Sequence, residues 1–341
     1  MKGVYIAGNF LSKNVGVRGA GEDLAEQLLK NNWEVITASS HPNRILRLFD
    51  LLGTAFFHRR NYQIAFVEVY SNLAFIWAEI LSSLLRILNK PYVLILHGGK
   101  LPEFRLKNPV RIQRILTSAK TVTSPSKYLI NAFHYTRSSI QYLPNGIEVS
   151  NYPYRLRKRV KLNLFWLRAF HSIYSPVTAI EVLHLLSKDY PAATLTMIGP
   201  DKEDGSYQEV NQKISDYKLE DKIVITGPIP KENVGEYLSH GDVFLNTTLY
   251  ESFGVSVLEA AACGLCIITT NVGELPYLWK NGVDALLVPP NDPTAMAAAV
   301  KRTLEEPGLA EKLSTNARKK AEQYDWSAIL PQWERIIDSI S

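Results

Sequence analysis

The chain lacks the residues that would commit it to a disulfide scaffold or a metal cluster: only two of its 341 residues are cysteine. Cys263 and Cys266 form one C-x-x-C, with no second pair to complete a four-thiolate zinc site. They stand where A-A-A-C-G-L-C-I-I turns from an apolar helix into an apolar strand, so small buried thiols packing a tight turn are expected. A large excess of charge of one sign is also lacking, with 38 Lys and Arg against 33 Asp and Glu. A net charge of +5 does not imply a nucleic-acid binder, although it suits anionic ligands or an anionic membrane surface. The most apolar run, residues 73–88, is interrupted by Glu79 and Arg86 and is too short to span a bilayer comfortably. Low-complexity tracts and short tandem repeats are missing as well. Neither half holds G-x-G-x-x-G with an acidic residue about 20 positions on, which argues against a dehydrogenase. Met1-Lys2-Gly3 leads straight into V-Y-I-A-G, a first strand and not a secretory leader, so a reduced, cytoplasmic protein is expected.

What is present is an ordinary globular composition, 46% hydrophobic and 21% charged, on a chain too long for one core. Two domains of roughly 150 to 180 residues are the default. Apolar strand patterns at 4–7, 33–38, 63–69, 92–96, 121–124 and 140–143 alternate with helical patterns at 21–31, 44–57, 73–88, 109–118 and 127–133. Such alternation predicts a parallel sheet covered on both faces, with ligands at the carboxyl ends of its strands. The turn-rich, basic stretch P-N-G-I-E-V-S-N-Y-P-Y-R-L-R-K-R reads as a linker. The alternation then restarts, with strands at 162–167, 194–198, 223–226, 243–246, 266–269 and 285–288. The expected domains are therefore 1–158 and 159–325, with a last helix at about 326–341 packing back on the first.

Residues 246–270 concentrate the chemistry. A strand end runs into a loop with Ser252, Phe253 and Gly254, and a helix begins near Val255 or Ser256. Free N–H groups and the positive end of a helix dipole make such a junction a phosphate site. Glu251 and Glu259 flank it, and two carboxylates beside a phosphate site suit a ligand with both phosphate and hydroxyl groups, such as a sugar nucleotide. Other strand-end loops add candidates. After the first strand come Gly16, Gly19 and Gly21, which would let a phosphate or sugar approach closely but could equally form plain turns. His97 stands at the fourth strand's end before two glycines, where a ligand would meet it, although a single His is often structural. Arg168 ends the first strand of the second half; its guanidinium could grip a diphosphate or simply pair with a neighbouring carboxylate. Gly199 and Gly227 sit in two further strand-end turns, suitable walls for a flat base.

The stretch E-S-F-G-V-S-V-L-E-A, followed by G-L-C-I-I-T-T-N-V-G-E-L-P and N-G-V-D-A-L-L-V-P-P-N-D-P, resembles the GT-B, family 4 retaining glycosyltransferases. Their E-x7-E is matched by Glu251 and Glu259, and the Gly16 loop, the His97 loop, S-P-S-K, P-N-G-I-E and the Arg168 loop follow in family order. The resemblance implies an α/β, GT-B fold: two Rossmann-like domains facing each other across a cleft, the first binding acceptor and the second binding donor. It implies that Glu251 holds hydroxyls of the donor sugar and that Glu259 accepts from the ribose. The N–H groups around Phe253, Gly254, Val255 and Ser256, with Arg168, would bind the diphosphate, and His97 would contact the sugar near the reacting centre. It also implies a metal-independent transfer with no cofactor beyond the nucleotide-diphosphate sugar, UDP- or GDP-linked, and a glycan or lipid-linked acceptor in polysaccharide or glycoconjugate assembly. Two features depart from the pattern. No Lys follows Arg168 within H-S-I-Y-S-P, for which Lys202 is a candidate substitute, and Glu274 stands where a glycine is frequent.

The acceptor surface is expected among residues 41–47, 73–88 and 100–114, whose basic and apolar character admits a peripheral contact with the inner face of an anionic membrane. Helix 73–88 packed plainly on its sheet is the alternative. For the whole chain, the competing readings are a GT-B nucleotide-sugar epimerase and a non-catalytic nucleotide-sugar-binding subunit. Product formation from donor alone would reveal the epimerase, and binding without turnover would reveal the non-catalytic binder.

Overall fold

The computed structural model describes residues 3–11, 18–98, 100–136 and 139–340. It divides into two compact units, residues 1–146 with 326–341, and residues 147–325.

In the first unit, strands β1 (Gly3–Ala7), β2 (Glu34–Ala38), β3 (Ile64–Val69), β4 (Tyr92–Leu96), β5 (Thr121–Ser124) and β6 (Ile140–Tyr142) form one sheet in the order β2-β1-β3-β4-β5-β6. Every pairing is parallel. The strands V-Y-I-A and Y-V-L-I-L are apolar at every position because successive side chains point to opposite faces and both faces are covered. Tyr5, Val67 and Leu94 enter the core under helices Arg44–Phe57, Leu73–Ile87 and Pro109–Ser118. Val4, Phe66 and Val93 enter the other core, under helices Ala20–Lys30 and Trp326–Ile340. The terminal helix inserts Trp326, Ile329, Leu330 and Trp333 there, and the Trp333 ring meets Phe66 edge-on at 5.1 Å. A short helix, Leu101–Lys107, lies where the sequence shows no helical period; Pro102 begins it, and seven residues are too few for periodicity to register.

In the second unit, β7 (Asn163–Leu167), β8 (Thr194–Ile198), β9 (Ile223–Gly227), β10 (Val243–Asn246), β11 (Cys266–Thr270) and β12 (Leu286–Val288) pair in parallel in the order β12-β11-β10-β7-β8-β9. Again two cores share the strands, with Trp166, Met197 and Ile268 on one face and Phe165, Phe244 and Ile267 on the other. Cys263 and Cys266 are free, buried thiols whose pKa burial pushes up to about 12, as expected of packing residues.

The boundary is a correction. The basic stretch that predicts a linker ending at residue 158 belongs to the second unit, which starts at Ile147. Arg157 is fully buried there. Its Nε donates to Gly241 O (3.1 Å), its Nη2 to Ser239 O (2.9 Å) and Gly241 O (2.7 Å), and its Nη1 to the carbonyls of Arg155 and Cys263. Burial pushes the guanidinium down to about 10. A cation among carbonyls thus clamps the chain entering this unit onto the turn before β10 and the turn before β11.

Replacing Arg157 with Met would leave those carbonyls buried without a donor, so urea unfolding should show a loss of about 3 kcal/mol or more. A loss under about 1 kcal/mol, typical of exposed charges, would refute the clamp.

Candidate functional site

The carboxyl ends of β7, β8 and β10 carry the expected residues of the second unit. Arg168 follows β7, and its N–H donates to Ile198 O (3.0 Å), prolonging the β7–β8 pairing by one residue. That approach requires Gly199, since a Cβ there would lie 1.8 Å from Arg168 O, and its φ of +148° disfavours other residues. Gly199 N in turn donates to Gly227 O (3.0 Å), so the two glycines form adjoining strand ends. The Arg168 guanidinium is nearly buried, lies 5.1 Å over the Tyr174 ring, and forms an ion pair with Glu251 Oε2. Its Nε has no hydrogen-bond partner among the described residues.

Glu251 is buried, and its other oxygen accepts from the N–H groups of Ser252 (3.1 Å) and Phe253 (3.3 Å). The carboxylate is therefore fixed on both sides, by a cation and by the loop that follows it. Gly254, at φ +96°, caps helix Val255–Ala262. The first-turn amides of a helix have no intrahelical acceptor. Ser256 sits among them, 7% exposed, and its hydroxyl has no hydrogen-bond partner among the described residues. Donors without acceptors at the positive end of a helix, beside a fixed arginine, suit an anion.

Glu259 lies one turn further along this helix and is buried. Its Oε1 accepts from Tyr152 Oη (3.0 Å) and pairs with Lys231 Nζ. Lys231 is a cation that the sequence pattern does not single out; Lys202, the candidate from the spacing after Arg168, is exposed on the β8 turn. Glu274 is fully buried at the start of helix Leu275–Leu278, so it does not face water.

In the first unit His97 is buried, with its ring stacked on Tyr70 at 5.4 Å and Nε2 3.7 Å from Glu68 Oε1. Burial pushes His97 down to about 4, leaving it a neutral imidazole. Burial likewise pushes Glu68 up to about 7, against hydrogen bonds from Asn9 N (3.2 Å), Tyr70 Oη (3.2 Å) and the Gly21 amide. Asn9 Oδ1 accepts from Arg47 Nη1 (2.9 Å). Glu68 and Tyr70 are absent from the sequence candidates, although one acid inside the buried I-A-F-V-E-V strand is a visible anomaly. Gly16 lies outside the described residues.

Residues 160–320 match the family of glycosyl transferases group 1. A phosphatidylinositol N-acetylglucosaminyltransferase subunit of Arabidopsis thaliana is 28% identical over 160 residues, which are 47% of this chain and 34% of that protein. The glycogen synthase of Mycobacterium tuberculosis is 26% identical over 196 residues, 56% of this chain and 46% of its own. The chain thus spans between about a third and a half of the length of these curated relatives. Among solved structures, HepE of Anabaena in complex with UDP and glucose superposes with a TM-score of 0.79 at 17% identity, covering 99% of this chain and 100% of that one. Residues 160–320 are thus similar to the glycosyl transferases group 1 family, in a chain whose two Rossmann-like units have the GT-B fold.

Proposed function

We propose that the protein is a retaining, metal-independent glycosyltransferase of family 4. It moves a sugar from a nucleotide-diphosphate sugar to a hydroxyl of a glycan or lipid-linked acceptor, in polysaccharide or glycoconjugate assembly at the cytoplasmic side. One observation carries the reading: a fixed Arg168–Glu251 pair runs directly into a helix N-terminus whose buried Ser256 hydroxyl has no partner among the described residues. A diphosphate supplies the acceptors those donors lack. HepE, of the same fold, was solved with UDP, which favours a uridine donor.

In this reading the diphosphate lies at the N–H groups of Gly254 to Ser256, and Arg168 stabilises the charge that builds on it as the glycosidic bond breaks. Glu251, held by Arg168 and two amides, accepts hydrogen bonds from hydroxyls of the donor sugar. Glu259, already oriented by Tyr152 and Lys231, accepts from the ribose. The leaving phosphate oxygen takes the proton of the acceptor hydroxyl, so the donor supplies its own base and no carboxylate need attack. Gly199 and Gly227 would flank the base. His97, neutral at physiological pH, would contribute hydrogen bonding and not acid catalysis.

The Glu251→Ala enzyme should lose about a hundredfold or more in kcat/KM for any accepted donor, measured at a temperature where it is still folded, because Arg168 left without its partner lowers the unfolding temperature too. Glu259→Ala and Arg168→Ala should each weaken binding of the nucleoside diphosphate by about tenfold, measured by calorimetry. Parent-like transfer in Glu251→Ala and Glu259→Ala would remove these residues from the site.

The Glu68–His97 contact has a pH signature. A carboxyl raised to about 7 from 4.5 costs stability progressively as pH rises through that window. An imidazole lowered to about 4 from 6.5 costs stability as pH falls from 6.5 towards 4. The two slopes oppose each other between about 4.5 and 6.5. In Glu68→Gln only the histidine slope remains, so the melting temperature of that variant should rise relative to the parent as pH goes from 4.5 to 7. Parallel melting profiles would mean that Glu68 keeps an ordinary carboxyl pKa.

A further inference from the structure

Helices Arg44–Phe57 and Leu73–Ile87 cover one face of the first unit's sheet and pack against each other. A sheet-covering helix normally buries one apolar stripe and turns polar residues outward. Both of these helices carry a second apolar stripe on the side away from the core. Helix Arg44–Phe57 buries Arg47, Leu51 and Ala55, while Ile45 is 67% exposed, Phe49 68% and Phe57 76% on the opposite side. Helix Leu73–Ile87 buries Phe75, Ala78, Leu81 and Leu85, yet Leu73, Ile76, Ile80 and Ile87 (76% exposed) project outward. Those four are spaced three, four and seven residues apart, which places them on a single helical face. The sheet-packing reading of this helix explains its inner stripe and leaves the outer one exposed among the described residues. A contiguous apolar surface of this kind marks an interaction face.

Its charges narrow the partner. Arg44 and Arg86 are exposed next to Ile45 and Ile87 in the chain, Arg60 is exposed three residues after Phe57, and Arg59 lies 4.6 Å over the Phe56 ring. Of the two acids on these helices, Glu79 is already paired with Arg111 of helix Pro109–Ser118, and Asp50 accepts from Thr54 Oγ1 at 3.5 Å. Pairing this face with a second copy of itself would bring arginines against arginines without acids to neutralise them. A flat partner with an apolar interior and an anionic surface satisfies both the stripes and the cations. We propose that this face of the first unit lies on an anionic phospholipid bilayer, with the phenylalanines and isoleucines in the acyl boundary and the arginines among the headgroups. Among the described residues no helix is long and apolar enough to cross a membrane, so the contact is peripheral. The inference stands on the surface of one unit and does not rest on the transfer reading, because vesicle binding needs no donor.

The test is co-sedimentation of the full chain with vesicles. The parent should bind strongly to vesicles of equal parts phosphatidylcholine and phosphatidylglycerol, and much less to phosphatidylcholine alone. Phe49→Ser with Phe57→Ser should lower the partition coefficient by about tenfold or more. Arg44→Gln, Arg60→Gln and Arg86→Gln together should do the same and flatten the salt dependence. Melting temperatures should stay at the parent value, since all five side chains are exposed. A parent that stays in the supernatant with the anionic vesicles, or variants that bind as the parent does, would overturn the proposal. So would a parent dimer that Phe49→Ser with Phe57→Ser converts to monomer, which would give the face to a second copy.

Discussion

A parallel sheet buried on both faces leaves only its strand ends for chemistry, and that constraint organises each unit of this protein. Every position along β4, and Cys266, Ile267 and Ile268 of β11, is committed to one core or the other. Polar side chains therefore collect where the strands stop, at Glu68 and His97 in the first unit and at Arg168 and Glu251 in the second. Once a charged group is confined to such a place it must be neutralised locally. The second unit does so with ion pairs, Arg168 to Glu251 and Lys231 to Glu259. The first does so by shifting proton affinity, keeping His97 uncharged beside a carboxyl raised to about 7.

Those two solutions have different functional consequences. Ion pairs hold carboxylates aimed, ready to accept from hydroxyl groups, and among the described residues they leave the Arg168 Nε without an acceptor. The cluster of Glu68, Tyr70 and His97 fixes geometry with an uncharged imidazole and a carboxyl whose charge burial disfavours. Arg157 belongs to neither group. Its guanidinium is spent on backbone carbonyls, and its work is to hold the entry of the second unit in place.

The strand pattern was legible in the sequence because continuous apolar runs bounded by glycine and proline have few other meanings. Glu251, Glu259 and the helix start between them were legible for a similar reason, since their spacing is local. The boundary was not, because Arg155 to Arg159 looks like solvated linker while Arg157 is buried. Lys231 was hidden by distance along the chain, lying 28 residues before the glutamate it meets. The outward stripes of helices Arg44–Phe57 and Leu73–Ile87 were hidden by their own hydrophobicity, because an apolar residue reads as buried until the packing shows which side faces the core.

The central claim is that the loop and helix from Glu251 to Glu259, with Arg168, bind the diphosphate of a nucleotide sugar. Thermal unfolding in the presence of UDP, GDP, ADP and their sugars tests it most directly, because a ligand that binds the native state raises its stability. The expected result is a rise with a uridine or guanosine diphosphate that is smaller in Arg168→Ala at the same ligand concentration. A melting temperature unmoved by all of them, or a rise of the same size in Arg168→Ala, would contradict it.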